Sequence, residues 1–276
     1  MDKIKSQLNK NGFTFKKAFG QNFITDDALL DEIVDKSGVT KSDTVIEIGC
    51  GAGTLTKALS RKAKRVIGYE IDKRLQPILE ENLSGADNVK IIFNDILKEK
   101  IEDTESRIGE EYTVVANLPY YITTPIVMTF LEQAKKLKSM VIMVQEEVAD
   151  RFSASPSCSD YGAITVGINL RGSAKTVMKV NRKYFTPIPN VDSAVVKIDI
   201  DNAKFQNVDK EGIRDLVRIA FSMRRKTLVN NLMKGYNISR EKAVELLQKA
   251  DISETERGEN LSAEQYVKLY EIINNK

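Results

Sequence analysis

Apolar positions along this chain fall into two alternating rhythms. Short β-branched runs, Val45-Ile46-Glu47-Ile48, Val66-Ile67, Ile91-Ile92, Val114-Val115 and Met140-Val141-Ile142-Met143-Val144, read as buried strands. Between them, apolar residues at three- and four-residue spacing read as helices. Leu29, Leu30, Ile33 and Val34 share one face, with Asp26 or Asp27 placed to cap that helix and Gly38 to stop it. Further helices are expected over 73–83 and from Thr124-Pro125, with the proline at the first position, to about 137. Residues 194–200 alternate as one more strand. The charged stretch 98–111 and the short Ser-rich segment 153–160 read as surface. Strands alternating with helices imply a mostly parallel sheet in one α/β domain. From about 204 the strand signal fades. Ile213, Leu216, Val217, Ile219 and Ala220 fall at helical spacing, and helices follow over 240–248 and 263–273. The expected division is therefore an α/β domain over 1–203 and a small all-helical domain over 204–276.

One stretch stands apart, Glu47-Ile48-Gly49-Cys50-Gly51-Ala52-Gly53-Thr54. A strand ends on an acid, three glycines alternate with small residues, and a helical pattern follows at Leu55 and Leu59. Glycines let backbone approach a ligand closely, and a helix N-terminus offers unpaired N–H donors, so Gly49, Gly51 and Gly53 are candidate cofactor contacts. A dinucleotide fingerprint would need its third glycine at position 54, where a threonine stands.

Composition narrows the chemistry. There is no histidine among 276 residues, which removes imidazole bases, the catalytic triads that need them and His-ligated metals. Two cysteines, Cys50 and Cys158, are too few for a structural zinc site or a disulfide framework, and no metal is expected. The net charge is only +3, so any nucleic-acid role must rest on local patches. Neither an apolar leader nor a run of membrane-spanning length is evident. A cytoplasmic protein with reduced thiols is expected.

Acids and aromatics at strand ends supply the candidate site. Glu70 closes the strand after the glycine turn, where a carboxylate accepts hydrogen bonds from ribose hydroxyls. Asp95 closes the next, placed either to accept from an exocyclic amine or to cap the following turn. The fourth strand runs into Asn117-Leu118-Pro119-Tyr120, the most diagnostic tetrapeptide of the chain. The Asn117 side-chain oxygen and the Leu118 carbonyl can accept both hydrogens of an amine, Pro119 offers no competing donor, and Tyr120 presents a face to an unstacked base. In Phe185-Thr186-Pro187-Ile188-Pro189 the prolines stiffen a loop that either holds Phe185 out as a second stacking face or anchors it in the core. Residues 13–25 interleave phenylalanines with Lys16 and Lys17, as a core staple or a basic aromatic surface for RNA. Arg224, Arg225 and Lys226 form a cluster that serves either solubility or phosphate contact.

The E-x-G-x-G-x-G pattern resembles motif I of the class I S-adenosylmethionine-dependent methyltransferases. Together with Phe19-Gly20-Gln21-Asn22-Phe23, Asn117-Leu118-Pro119-Tyr120-Tyr121-Ile122-Thr123, Phe185-Thr186-Pro187-Ile188-Pro189-Asn190-Val191-Asp192-Ser193 and Ala220-Phe221-Ser222-Met223-Arg224-Arg225-Lys226-Thr227-Leu228, it makes nearly the full length resemble the bacterial small-subunit (16S) ribosomal RNA adenine-N6,N6-dimethyltransferases. The resemblance implies a Rossmann-like α/β fold with a C-terminal helical RNA-binding domain. It implies S-adenosyl-L-methionine held by Asn22, Ile24, Gly49, Glu70, Asp95 and Asn117, with Ile24 standing where leucine is commoner. The implied substrate is a pair of adjacent adenines in a hairpin loop near the 3′ end of small-subunit rRNA, within a pre-30S particle, and the implied enzyme is a monomer. Two alternatives stay open: a large-subunit (23S) rRNA methyltransferase, which shares the Asn-(Leu/Ile)-Pro-Tyr and Phe-Pro-Pro features, and a ribosome-assembly factor whose catalysis is secondary or lost. An adenine N6 is a poor nucleophile because its lone pair is delocalised. Positioning by Asn117 and Leu118 would carry catalysis without a strong base, as a histidine-free chain requires.

Overall fold

A computed structural model describes Gln7, Lys10, Phe13 and residues 22–274. Lys16, Lys17, Phe19, Gly20 and Gln21 lie outside the described residues. The elements run β1 (Phe23–Ile24), α1 (Asp27–Ser37), β2 (Thr44–Ile48), α2 (Thr54–Lys62), β3 (Arg65–Tyr69), α3 (Gln76–Asn82), β4 (Val89–Ile92), α4 (Ile101–Ile108), β5 (Tyr112–Asn117), α5 (Tyr120–Gln133), β6 (Leu137–Gln145), α6 (Glu146–Phe152), α7 (Ala163–Asn169), β7 (Gly172–Val180), β8 (Phe185–Thr186), β9 (Ser193–Ile200), α8 (Lys210–Phe221), α9 (Leu228–Tyr236), α10 (Arg240–Lys249) and α11 (Ala263–Ile273).

The main sheet has seven strands in the order β4-β3-β2-β5-β6-β9-β7. Strands β4, β3, β2, β5 and β6 pair in parallel, while β9 runs antiparallel to β6. The strand order reverses between β2 and β5, so the crevice at their carboxyl ends is the switch point where open α/β sheets bind ligands. Both central strands are buried along nearly their whole length, as strands covered by helices on both faces must be. A separate two-stranded ribbon pairs β1 with β8, Phe23 opposite Thr186 and Ile24 opposite Phe185.

Local chemistry explains the element ends. Asp26 accepts the Leu29 amide at 2.9 Å and starts α1, and Gly38, at φ 76°, stops it. Helix α5 departs from expectation. It begins at Tyr120 with Pro119 as its cap residue, and Pro125 lies inside it rather than at its first position. Packing of Ile126, Val127 and Phe130 outweighs the lost Pro125 N–H bond. The stretch 98–111 is likewise more than surface: α4 buries Ile101, Thr104, Glu105 and Ile108. Its charged residues hid that face, because Glu105 is a buried acceptor for Tyr112 and for the Lys135 and Lys136 amides.

The chain divides into two compact units, the described part of Met1–Ala149 with Ala174–Ile200, and Asp150–Ser173 with the described part of Asp201–Lys276. The boundary expected between 203 and 204 therefore moves to 200/201, and 150–173 goes with the helices. Tyr161, Val166 and Leu170 are the reason: they sit in one core with Ile213, Leu216, Leu232, Leu247 and Tyr266. Buried Tyr161 and Tyr266 satisfy their hydroxyls by donating to the Leu261 and Gly258 carbonyls, each at 2.8 Å. No helix among the described residues is long and apolar enough to cross a membrane.

Candidate active site

A cavity of about 260 Å³ opens at the carboxyl ends of β2, β3 and β5. Its floor is the glycine turn. Gly49, Gly51 and Gly53 all have positive φ, at 75°, 56° and 80°, a region costly for any residue with a Cβ. At Gly51 space is also lacking, since a Cβ would come within 2.6 Å of the Phe23 ring. Gly49 and Gly51 line the cavity, whereas Gly53 closes the turn by donating to the Cys50 carbonyl at 2.8 Å and begins α2.

The short segment 22–24 forms a wall pinned from three sides. β1 pairs with β8, the Thr54 hydroxyl donates to the Ile24 carbonyl at 3.0 Å, and the Asn117 amide Nδ2 donates to the Asn22 carbonyl at 3.0 Å. That last bond assigns the orientation of Asn117: its nitrogen is engaged and its Oδ1 is the group left to accept. Leu118, Pro119 and Tyr120 follow it along the cavity, and the Tyr120 hydroxyl is held by Ser193 Oγ at 3.0 Å.

Glu70 faces the glycine turn. One carboxylate oxygen accepts the Gly51 amide at 2.8 Å and the other accepts the Ile71 and Asp72 amides, each at 2.8 Å. Burial nonetheless raises its carboxyl above the ordinary range, against the pull of those three amides. Asp95 lines the cavity and also accepts the Leu97 amide at 3.1 Å, so it caps the short turn that follows it.

Phe185 does not line the cavity. It is 2% exposed and packs among Ile24, Leu29, Leu30 and Val115, so the second stacking face expected of it is not there. Its strand pairing with Ile24 turns the ring inward, which matches the other expectation, a buried anchor. The exposed aromatic at the rim is Tyr121, 59% accessible, joined there by Ile71 and Leu97. Arg224 forms an ion pair with Glu259 at 2.8 Å and donates to the Ser159 carbonyl, which ties down the 153–160 segment, while Arg225 and Lys226 stay exposed.

Glu47 is a cavity residue whose role the sequence did not assign, although its place at the head of the glycine motif marks it. It is 1% exposed. Burial raises its carboxyl to about 8, against a lowering by Thr56 and with a lesser push from Glu70. Glu47 Oε2 and Thr56 Oγ1 are both buried without a formed hydrogen bond. Buried Cys50 is raised as well, by burial first and by Glu47 and Glu70 next.

The lining taken together has a definite sign. Its described residues include three acids, Glu70, Asp95 and Glu47, the last held protonated by burial, and no lysine or arginine. Such a site suits a cationic ligand rich in hydrogen-bond donors and disfavours a phosphate-bearing dinucleotide.

Residues 12–275 match the family model for ribosomal RNA adenine dimethylase. The chain is 46% identical over 278 residues to ribosomal RNA small subunit methyltransferase A of Bacillus pumilus, covering 98% of this chain and 95% of that one. It is 41% identical over 275 residues to the Clostridioides difficile protein of the same name, covering 99% and 95%. Among solved structures it resembles a dimethyladenosine transferase from Plasmodium falciparum, with TM-score 0.79, 27% identity and 92% and 98% of the two chains covered. It also resembles the 23S rRNA methyltransferase ErmE, with TM-score 0.71, 26% identity and 91% and 99% of the two chains covered. A glycine turn at the switch point, an acceptor-lined cavity, Asn-Leu-Pro-Tyr at its mouth and matches over nearly the whole length lead to one conclusion: the chain belongs to the ribosomal RNA adenine dimethylase family.

Proposed function

We propose that this site transfers methyl groups from S-adenosyl-L-methionine to the N6 atoms of two adjacent adenines in small-subunit rRNA. The carrying observation is the lining itself: carboxylates and an amide oxygen converge on the cavity with no described cation among them. The cofactor is a cation whose ribose hydroxyls, exocyclic amine and ammonium are all donors, so this set of acceptors fits it. Identity of 41–46% to relatives named for the small subunit, against 26% to a 23S enzyme, favours the small-subunit target.

Glu70, at the end of β3, would accept from the ribose, and Asp95 from the adenine amine. Gly49, Gly51, Asn22 and Ile24 would surround the remainder, with Gly53 setting the turn. When bound, the cofactor supplies an electrophilic methyl on a sulfonium. The chain's own part is to aim the nucleophile. Asn117 Oδ1 and the Leu118 carbonyl would each accept one N6 hydrogen, pulling the amine towards a tetrahedral geometry with its lone pair turned to the methyl. Pro119 contributes no competing N–H, and Tyr120, fixed through Ser193, offers its ring face to the base. The N6 proton leaves to water after the new N–C bond has formed, so no base of neutral pKa is required. Arg225 and Lys226 of the helical unit would contact rRNA phosphates, and Lys16 and Lys17 would add to that electrostatic footprint. The enzyme would act as a monomer on a pre-30S particle in the cytoplasm.

The test is transfer of labelled methyl to unmethylated small subunits, followed by nucleoside analysis. Dimethyladenosine in small-subunit RNA is expected, with Asn117→Ala lowering the rate by roughly a hundredfold or more. Label in large-subunit RNA instead would overturn the target, and a fully active Asn117→Ala would overturn the mechanism.

A further inference from the structure

Asp95 sits on a short turn, residues 94–99, in which only Ile96 is buried: Asn94, Leu97 and Lys98 are exposed. The turn is held at its far end by Glu99. That carboxylate accepts from four side chains: Asn94 Nδ2 at 2.7 Å, the Thr104 hydroxyl at 3.0 Å, the Tyr69 hydroxyl at 3.1 Å and Arg107. The donors come from separate places. Asn94 opens the turn and lines the cavity, Tyr69 ends β3 beside Glu70 and lines it too, and Thr104 and Arg107 belong to α4. Burial works against charge on Glu99, and the four donors outweigh it, leaving its carboxyl below the ordinary value. Glu99 itself is not a lining residue of the cavity.

We propose that Glu99 is a positioning residue for cofactor binding: by joining Asn94, Tyr69 and α4 it fixes the turn that presents Asp95 to the cavity. This rests on the reading of the cavity as the S-adenosylmethionine site. Removing the carboxylate unties the turn from β3 and α4 and leaves it only its own backbone bonds and buried Ile96. Asp95 then has to be ordered at the moment of binding, and affinity falls by that cost. The machinery at Asn117 and Tyr120 lies on β5 and α5 and is untouched, so turnover at saturating cofactor stays near its normal value.

Binding of S-adenosylhomocysteine is measured by calorimetry for the full chain, Glu99→Ala, Glu99→Gln, Asp95→Ala and the Glu99/Asp95 double variant, with methyl transfer run alongside. Glu99→Ala is expected to raise Kd about tenfold, the cost of ordering roughly one side chain on binding, and to raise KM for the cofactor without a matching fall in kcat. Glu99→Gln, which keeps an acceptor, falls between. The double variant is expected to bind no worse than Asp95→Ala, because Glu99 acts through Asp95. An unchanged Kd in both Glu99 variants, or a double variant whose loss is the product of the single losses, overturns the proposal. Failure of the unsubstituted protein to bind S-adenosylhomocysteine overturns the reading of the cavity instead.

Discussion

At the scale of single residues, Glu47 is the most exceptional group in the site. A carboxyl with its pKa raised to about 8 stays protonated in the folded protein through neutral pH, whereas in the unfolded chain it ionises near 4.5. The unfolded state thus holds fewer protons between those values, and stability falls as pH rises through that window, by at most about 1.4 kcal/mol per pH unit. Glu47→Gln is neutral at every pH and keeps the shape. Urea unfolding at pH 5.5 and 7.5 should show the unsubstituted protein losing stability relative to Glu47→Gln across the interval; equal pH slopes would show that Glu47 titrates normally. The exposed Arg225 and the paired Arg224 teach the complementary lesson. The two are adjacent and identical in type, yet one is spent on Glu259 and Ser159 while its neighbour faces solvent.

At the scale of elements, the β2, glycine turn and α2 unit is a single device. Its three positive φ values reverse the chain so that α2 starts under the cavity, and its amides are shared among Tyr69, Cys50 and Glu70. Gly51→Ala is the sharpest probe. An alanine at φ 56° carries about 1–2 kcal/mol of left-handed strain, and its Cβ would collide with Phe23, which also forms the cavity wall. The expected result is a melting temperature several degrees lower and at least about tenfold weaker binding of S-adenosylhomocysteine. Unchanged binding would mean that the wall and floor move independently of the ligand site.

At the scale of the whole molecule, chemistry and charge are carried by different units. The cavity draws its lining from Met1–Ala149, and the exposed Arg225 and Lys226 belong to the unit that includes Asp201–Lys276. With a net charge of only +3, removing two cations is a large change. A double Arg225→Ala, Lys226→Ala variant is expected to weaken small-subunit binding and to flatten the slope of log affinity against log salt by between about 1 and 2, with cofactor affinity unaltered. An unchanged salt slope would remove these residues from the RNA contact surface.

Much of this was legible in the sequence because it rests on local rules. The alternation of strands and helices, the Asp26 and Gly38 helix ends, the glycine turn and the strand-end residues Glu70, Asp95 and Asn117 depend on backbone sterics, capping and position along a strand, which neighbours in sequence largely settle. Other features were decided only by packing. Whether Phe185 faced solvent or core depended on its pairing with Ile24, far away in the chain. Whether 150–173 belonged to the sheet or the helices depended on where Tyr161 found apolar partners. A stretch as charged as 98–111 carries no local mark that Glu99 would gather four donors from three separate places. The sequence by itself determined which elements form and which chemistry sits at their ends; the tertiary structure alone decided which side chains share a cavity, since burial and hydrogen-bond partnership are properties of contacts between distant segments.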